Sequence, residues 1–278
     1  MAKGPRRRLR IALGVAALYA SSVALMAALE PWLLFPRPDL PRSELTRLAE
    51  RWEATEVEVP SRDGTVLYGW RLGKGDKLAL LFSGNGSTVG WQDERYRTLL
   101  DSGYSILHVN YRGYPGSEGR PSEIGLLDDG LAAWAEAIKS HDPDQVVIFG
   151  KSLGGGVAMG VAEILSQLPP GQRPAALVLE STFTSAWRVG ADQYPWLPVR
   201  LIMRNRFESI IRAPHVQIPT VVLHGGRDEL IDPEQGAALA AAIPGAVFVP
   251  IAHHWHNDVL WNEPEALDAL NAILDARR

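Results

Sequence analysis

The 278-residue chain has no cysteine. That absence excludes a disulfide framework, a thiolate-held zinc or iron–sulfur centre, and a cysteine nucleophile. It leaves the redox compartment open, because a chain without thiols works in either. No internal repeat of 20–50 residues is present, so a solenoid is excluded. An excess of positive charge is also lacking. The formal net charge is −4 and the pI is about 6.0, which argues against a nucleic-acid partner for the chain as a whole. A composition with 46% hydrophobic and 22% charged residues is that of a globular protein.

One absence is local. Residues 1–29 contain no acid but five basic residues, Lys3, Arg6, Arg7, Arg8 and Arg10, and so carry +5; the other 23 basic and 32 acidic residues give −9. After the basic cluster comes an uncharged stretch at 11–29. As a helix it would be about 28 Å long, close to the roughly 30 Å hydrocarbon core of a bilayer. This predicts a single-pass signal anchor with residues 1–10 cytoplasmic and the following domain extracytoplasmic, periplasmic if the organism is bacterial. A cleaved signal peptide is the competing expectation, with Ala20, Ser21 and Ser22 as a small-residue site.

Residues 30–53 read as a linker or short helix, with Pro36, Pro38 and Pro41. Short apolar runs follow at 55–59, 65–72, 78–83, 104–109, 145–149, 175–180, 219–224 and 245–249. The first two form a hairpin around Arg62, Asp63 and Gly64. Crossover helices are expected at 89–101, 123–139, 153–166, 233–243 and 263–276. The pattern predicts an α/β domain over 54–278, with a mostly parallel eight-stranded sheet and helices on both faces. The interval 181–218 breaks the rhythm. Its aromatics and prolines suggest either a connector packed on the sheet or a lid at about 183–215.

The chemistry centres on Gly150-Lys151-Ser152-Leu153-Gly154, which directly follows a strand and opens an apolar helix. In that context Gly-x-Ser-x-Gly lifts a serine to a helix N-terminus, where backbone N–H groups can receive negative charge. A phosphate loop is excluded, because Gln145 stands where its first glycine is required. A serine nucleophile needs a base, and the base needs an orienting acid. Asp228 lies just past the strand at 219–224, whereas Asp232 before Pro233 looks like a helix cap. Three of the seven histidines cluster as His253, His254 and His256 after the last strand. His256 is the expected base and His254 the fallback. Backbone N–H groups of Asn85 and Leu153 are the expected oxyanion donors, with Gly86 as the alternative to Asn85. No cofactor or metal is expected, since the histidine cluster has no further ligands at convincing spacing.

With these residues in place, the chain resembles the α/β-hydrolase superfamily. More narrowly, it is similar to the membrane-anchored serine hydrolases related to the yeast bud-emergence protein and the mammalian alpha/beta-hydrolase-domain proteins. The resemblance is carried by Leu34-Phe35-Pro36-Arg37, Ser83-Gly84-Asn85-Gly86, Asn110-Tyr111-Arg112-Gly113-Tyr114 and Gly116-Ser117-Glu118-Gly119. It continues through Pro121-Ser122-Glu123, the serine turn, Glu180-Ser181-Thr182-Phe183-Thr184-Ser185, His224-Gly225 with Asp228, and His256-Asn257-Asp258. It implies Ser152 as nucleophile, Asp228 as acid, His256 as base and the Asn85 loop as oxyanion hole. The implied substrate is a small-molecule, lipid or acyl-protein ester or thioester. Two departures alter the pocket. Ser83-Gly84 replaces the usual His-Gly, and His253-His254-Trp255 replaces small residues before the base. A noncatalytic scaffold of the same fold and a serine peptidase are the alternative functions; the oligomeric state is left open.

Overall fold

The computed structural model describes residues 4–276; Lys3 of the basic cluster and residues 277–278 lie outside the described residues, as do the side chains of Arg6 and Arg7. Helix α1 (Gly4–Leu34) is followed by α2 (Arg42–Arg51). The apolar segment therefore lies within a longer helix, which continues through Pro31. Part of the expected linker is helical as well.

The hairpin is formed by β1 (Thr55–Pro60) and β2 (Val66–Leu72), paired antiparallel with Thr55 opposite Arg71. Gly64 takes the turn position with φ +86°, a conformation that side chains disfavour. The alternating part of the fold is β3 (Lys77–Phe82), α3 (Asp93–Asp101), β4 (Tyr104–Val109), α4 (Glu123–Ala137), β5 (Val146–Lys151), α5 (Leu153–Leu165) and β6 (Ala176–Glu180). The insertion contributes α6 (Ala186–Gln193), α7 (Val199–Ile202) and α8 (Ser209–Arg212). The chain then forms β7 (Thr220–Gly225), α9 (Pro233–Ala242), β8 (Val247–Ile251) and α10 (Pro264–Asp275).

Among the described residues the eight strands make one sheet in the order β1-β2-β4-β3-β5-β6-β7-β8. Only β2 runs against its neighbours; from β4 to β8 every pair is parallel. Side-chain alternation sends Leu78, Leu80 and Phe82 of β3 to one face, with α4 and α5, and Ala79 and Leu81 to the other, with α3 and α10. Each such buried leucine or phenylalanine contributes roughly 2 kcal/mol. Parallel strands need both faces covered, which explains their near-continuous apolar sequence. The expected helix at 89–101 begins only at Asp93. Before it, the Asn110 side chain accepts from the Val89 N–H and Gly90 sits at φ +85°, so those residues form a turn.

Candidate active site

Strand β5 ends at Lys151 and α5 begins at Leu153, so a single residue, Ser152, makes the connection. Its φ of 50° and ψ of −117° are unusual for a residue with a Cβ, a strain of about 1–3 kcal/mol. Two hydrogen bonds hold it: the Ser152 N–H donates to the Glu180 carbonyl at 2.9 Å, and Thr182 Oγ1 donates to the Ser152 carbonyl at 2.8 Å. The glycines of the turn are required by close approach. A Cβ on Gly154 would lie 2.0 Å from the Phe82 carbonyl oxygen, and one on Gly155 would lie 2.3 Å from Thr182 Oγ1.

Ser152 and His256, 104 residues apart in sequence, meet with Oγ 3.2 Å from Nε2. His256 Nδ1 lies 2.8 Å from Asp228 Oδ2 and 3.1 Å from Oδ1. The carboxylate accepts there, so Nδ1 carries the proton and Nε2 is free to accept from the serine hydroxyl. Burial pushes the Asp228 carboxyl up. Hydrogen bonds from His224, His256 and the Ile231 N–H outweigh that effect and hold it well below the usual carboxylate range.

The alternatives lie elsewhere. Asp232 caps α9, accepting from the Glu234 N–H at 2.9 Å. His254 Nε2 pairs with Glu263 Oε1 at 2.8 Å, and His253 is exposed. Leu153 is the first residue of α5, so its N–H has no carbonyl partner within the helix. Asn85 lines the same cavity as Ser152 and Leu153, and a Cβ on neighbouring Gly84 would lie 3.5 Å from the Ser152 Cβ. Ser83, one of the two departures, has Oγ 2.7 Å from His108 Nε2, and its carbonyl accepts from Tyr111 Oη at 3.0 Å. Burial pushes the His108 imidazole down to about 3, so it is neutral at physiological pH.

Sequence reasoning left four supporting residues without roles. Glu180, at the end of β6, is held by Arg95 through two bonds of 2.6 and 2.9 Å and lies 3.2 Å from Lys151 Nζ. Burial raises its carboxyl, but Arg95 and Lys151 overcome that and bring it down to about 2. Lys151 Nζ also donates to the Asp258 carbonyl at 2.6 Å, tying the histidine loop to the serine turn. His224 Nε2 stands 3.1 Å from Asp228 Oδ2 and 3.0 Å from the Ile231 carbonyl. A charge ending an apolar strand, as Glu180 does, was the available signal. Its partner Arg95, 85 residues away, was not readable.

Two cavities meet at Ser152 and Asn85. One, of about 260 Å³, is walled by apolar side chains, among them Met26 and Leu34 of α1, Phe183, Leu197 and Met203. The other, of about 690 Å³, is lined by polar groups including Gln92, Arg95, Glu229 and Asn257. A serine beside a bonded histidine–aspartate pair, on a strand–helix turn of a mostly parallel sheet, defines an α/β hydrolase.

A family model described as Hydrolase_4, serine aminopeptidase S33, matches residues 73–211. An uncharacterized protein of Mycobacterium tuberculosis is 39% identical over 232 residues, covering 80% of this chain and 77% of that one. The chain therefore belongs to that family, within the α/β-hydrolase superfamily. Lysophosphatidylserine lipase ABHD12 of Danio rerio is 32% identical over 225 residues, 72% of this chain and 58% of its own. Among solved structures, an α/β hydrolase from Vibrio vulnificus aligns with a TM-score of 0.70 at 22% identity, covering 88% of this chain and 89% of the other.

Proposed function

We propose that the protein is a membrane-tethered serine hydrolase that cleaves acyl esters or thioesters. The observation that carries this reading is the Ser152–His256–Asp228 chain of contacts at the meeting point of an apolar and a polar cavity. His256 Nε2 takes the proton from Ser152 Oγ as the oxygen attacks the acyl carbonyl. Asp228 keeps the imidazole in the required tautomer and stabilises the imidazolium. The N–H groups of Asn85 and Leu153, with the N-terminus of α5, receive the oxyanion. His256 then protonates the leaving oxygen or sulfur, and water releases the acyl group by the reverse proton path. The apolar cavity takes the acyl chain and the polar one the leaving group. The activity named for the ABHD12 relative, a lysophosphatidylserine lipase, supports a lipid ester.

The tether is residues 11–29 of α1, within a stretch apolar enough to cross a bilayer at Arg8–Leu34. The basic residues before it direct the N-terminus to the cytoplasm and the catalytic domain to the opposite side. Labelling with a fluorophosphonate probe tests the enzyme reading: wild type should label and Ser152→Ala should not. Absence of Ser152-dependent labelling would leave a noncatalytic scaffold as the better account. A panel of acyl esters, thioesters and aminoacyl anilides then separates an esterase from a peptidase. Protease protection of intact cells or vesicles tests the orientation; a catalytic domain on the cytoplasmic side would overturn it.

A further inference from the structure

The mid-point of the apolar stretch is not free. Tyr19 Oη, near the middle of 11–29, donates to the Trp196 carbonyl of the insertion at 2.9 Å. Further along α1, Glu30 is buried, and its carboxylate accepts from the Asn205 backbone N–H at 3.0 Å and from Asn205 Nδ2 at 2.9 Å. From Tyr19 to Leu34, then, α1 lies against the 181–218 insertion. If that insertion stood in water, only residues 11–18 of the uncharged stretch would remain for the bilayer. Eight residues of helix span about 12 Å, well short of the roughly 30 Å hydrocarbon core. For α1 to cross, the insertion has to enter the lipid with it.

The outer face of the insertion has the required chemistry. Leu201 is 80% exposed and Trp196 is 54% exposed. Backbone polar groups in lipid must be satisfied within the protein. Around the turn at 194–198, Pro195 and Pro198 have no N–H, the Leu197 N–H donates to the Tyr194 carbonyl, and Tyr19 satisfies the Trp196 carbonyl. The segment 181–218 holds five arginines against two acids, +3 in a domain that is otherwise acidic. Arg188 and Arg200 lie over the Trp187 ring, at 5.6 and 5.3 Å. Such long cationic side chains reach lipid phosphates from an apolar base. The apolar cavity lies between α1 and this insertion. Exposed Leu33, Tyr194 and Leu230 are part of its lining and so border its mouth.

From these observations we infer that the insertion is a lipid-embedded surface, and that acyl chains reach Ser152 from the bilayer between α1 and α6–α7. The cavity, about 260 Å³ and walled by apolar side chains, has room for a medium-length acyl chain. This inference rests on the ester-hydrolase reading for its substrate, but its membrane contact is measurable apart from it.

The natural absence of cysteine allows single labelling sites. Leu201→Cys, Trp196→Cys and, in the turn just past the C-terminal end of α4, Lys139→Cys are each labelled with an environment-sensitive fluorophore, in the full chain reconstituted into phosphatidylcholine–phosphatidylglycerol vesicles. Doxyl-labelled lipids should quench the fluorophore at 201 and 196 and leave the one at 139 unaffected. Equal responses at the three sites would overturn the proposal. Leu201→Asp should lower turnover of a vesicle-borne octanoyl ester about tenfold, because a carboxylate is costly in lipid, with turnover of a water-soluble acetyl ester unchanged. Equal loss on both substrates, or no loss on either, would also contradict it. Retained fluorophosphonate labelling of Ser152 in this variant shows that the site is folded. Loss of labelling in wild type would remove the hydrolase reading without touching the quenching result.

Discussion

The two sides of the serine are built differently. Beneath it, β5, β6 and β7 end in buried groups locked by charge and hydrogen bonds: Glu180 between Arg95 and Lys151, and Asp228 between His224 and His256. Above it, the insertion is a series of short helices tied to α1 through Glu30 to Asn205 and Tyr19 to Trp196, and to the start of α4, where Glu123 Oε2 accepts from the Arg206 and Phe207 N–H groups. The floor holds Ser152, His256 and Asp228 at hydrogen-bonding distance, which proton transfer requires. The roof supplies volume and an apolar wall, and under the proposed function it would select the substrate more than the chemistry. Substitutions in the floor should therefore affect every substrate alike, and those in the roof should discriminate between chain lengths.

The largest effect is expected on the floor. Ser152→Ala or His256→Ala should reduce kcat by about 10⁴-fold or more on all esters. The double variant should be little worse than either single one, as measured by steady-state hydrolysis of acetyl and octanoyl esters. Independent, additive losses would mean that the two residues do not act as a unit.

Glu180→Ala comes next. It leaves the buried Arg95 and Lys151 without their carboxylate, and should cost about 3–5 kcal/mol of stability, read from denaturant unfolding. The same group sets a pH dependence. Its carboxyl is lowered in the folded protein to about 2 from an ordinary 4.5, so its stabilisation is complete above about pH 4.5 and fades as pH falls toward 2. Glu180→Gln should flatten the fall in melting temperature across that window. Identical acid limbs for the variant and wild type would contradict the pairing.

His224→Leu removes one donor to Asp228 and should lower kcat about tenfold, with partial recovery in His224→Gln and little change in KM. A loss confined to KM would show that His224 serves only packing. The smallest effect belongs to the roof. Met26→Trp should cut the octanoyl-to-acetyl ratio of kcat/KM by roughly fivefold, as a partly filled apolar pocket does. An unchanged ratio would place the acyl chain elsewhere.

The strands were readable because burial on both faces forces continuous apolar runs, as in β4, where every residue from Tyr104 to Val109 is buried. The serine turn was readable because its glycines answer to contacts within a few residues and to the ends of the two strands beside β5. Asp228 and His256 were legible as candidates from their places after β7 and β8, and the structure sets His256 beside Ser152 and Asp228 beside His256. What escaped depends on distant partners. Nothing around Arg95 marks it as the counter-ion of Glu180, and nothing in 11–29 marks Tyr19 as a donor to the insertion. The helical stretch beyond Leu29 was hidden by Pro31, a residue that ordinarily interrupts a helix.

The central claim is that Ser152 carries the acyl group during turnover. Rapid acid quenching during hydrolysis of an octanoyl ester, followed by mass spectrometry of the proteolysed chain, tests it directly. An octanoyl adduct should appear on the peptide containing Ser152, rise within the first turnover and vanish when substrate is exhausted. Continued hydrolysis with no adduct there, or with the adduct on another residue, would contradict the account.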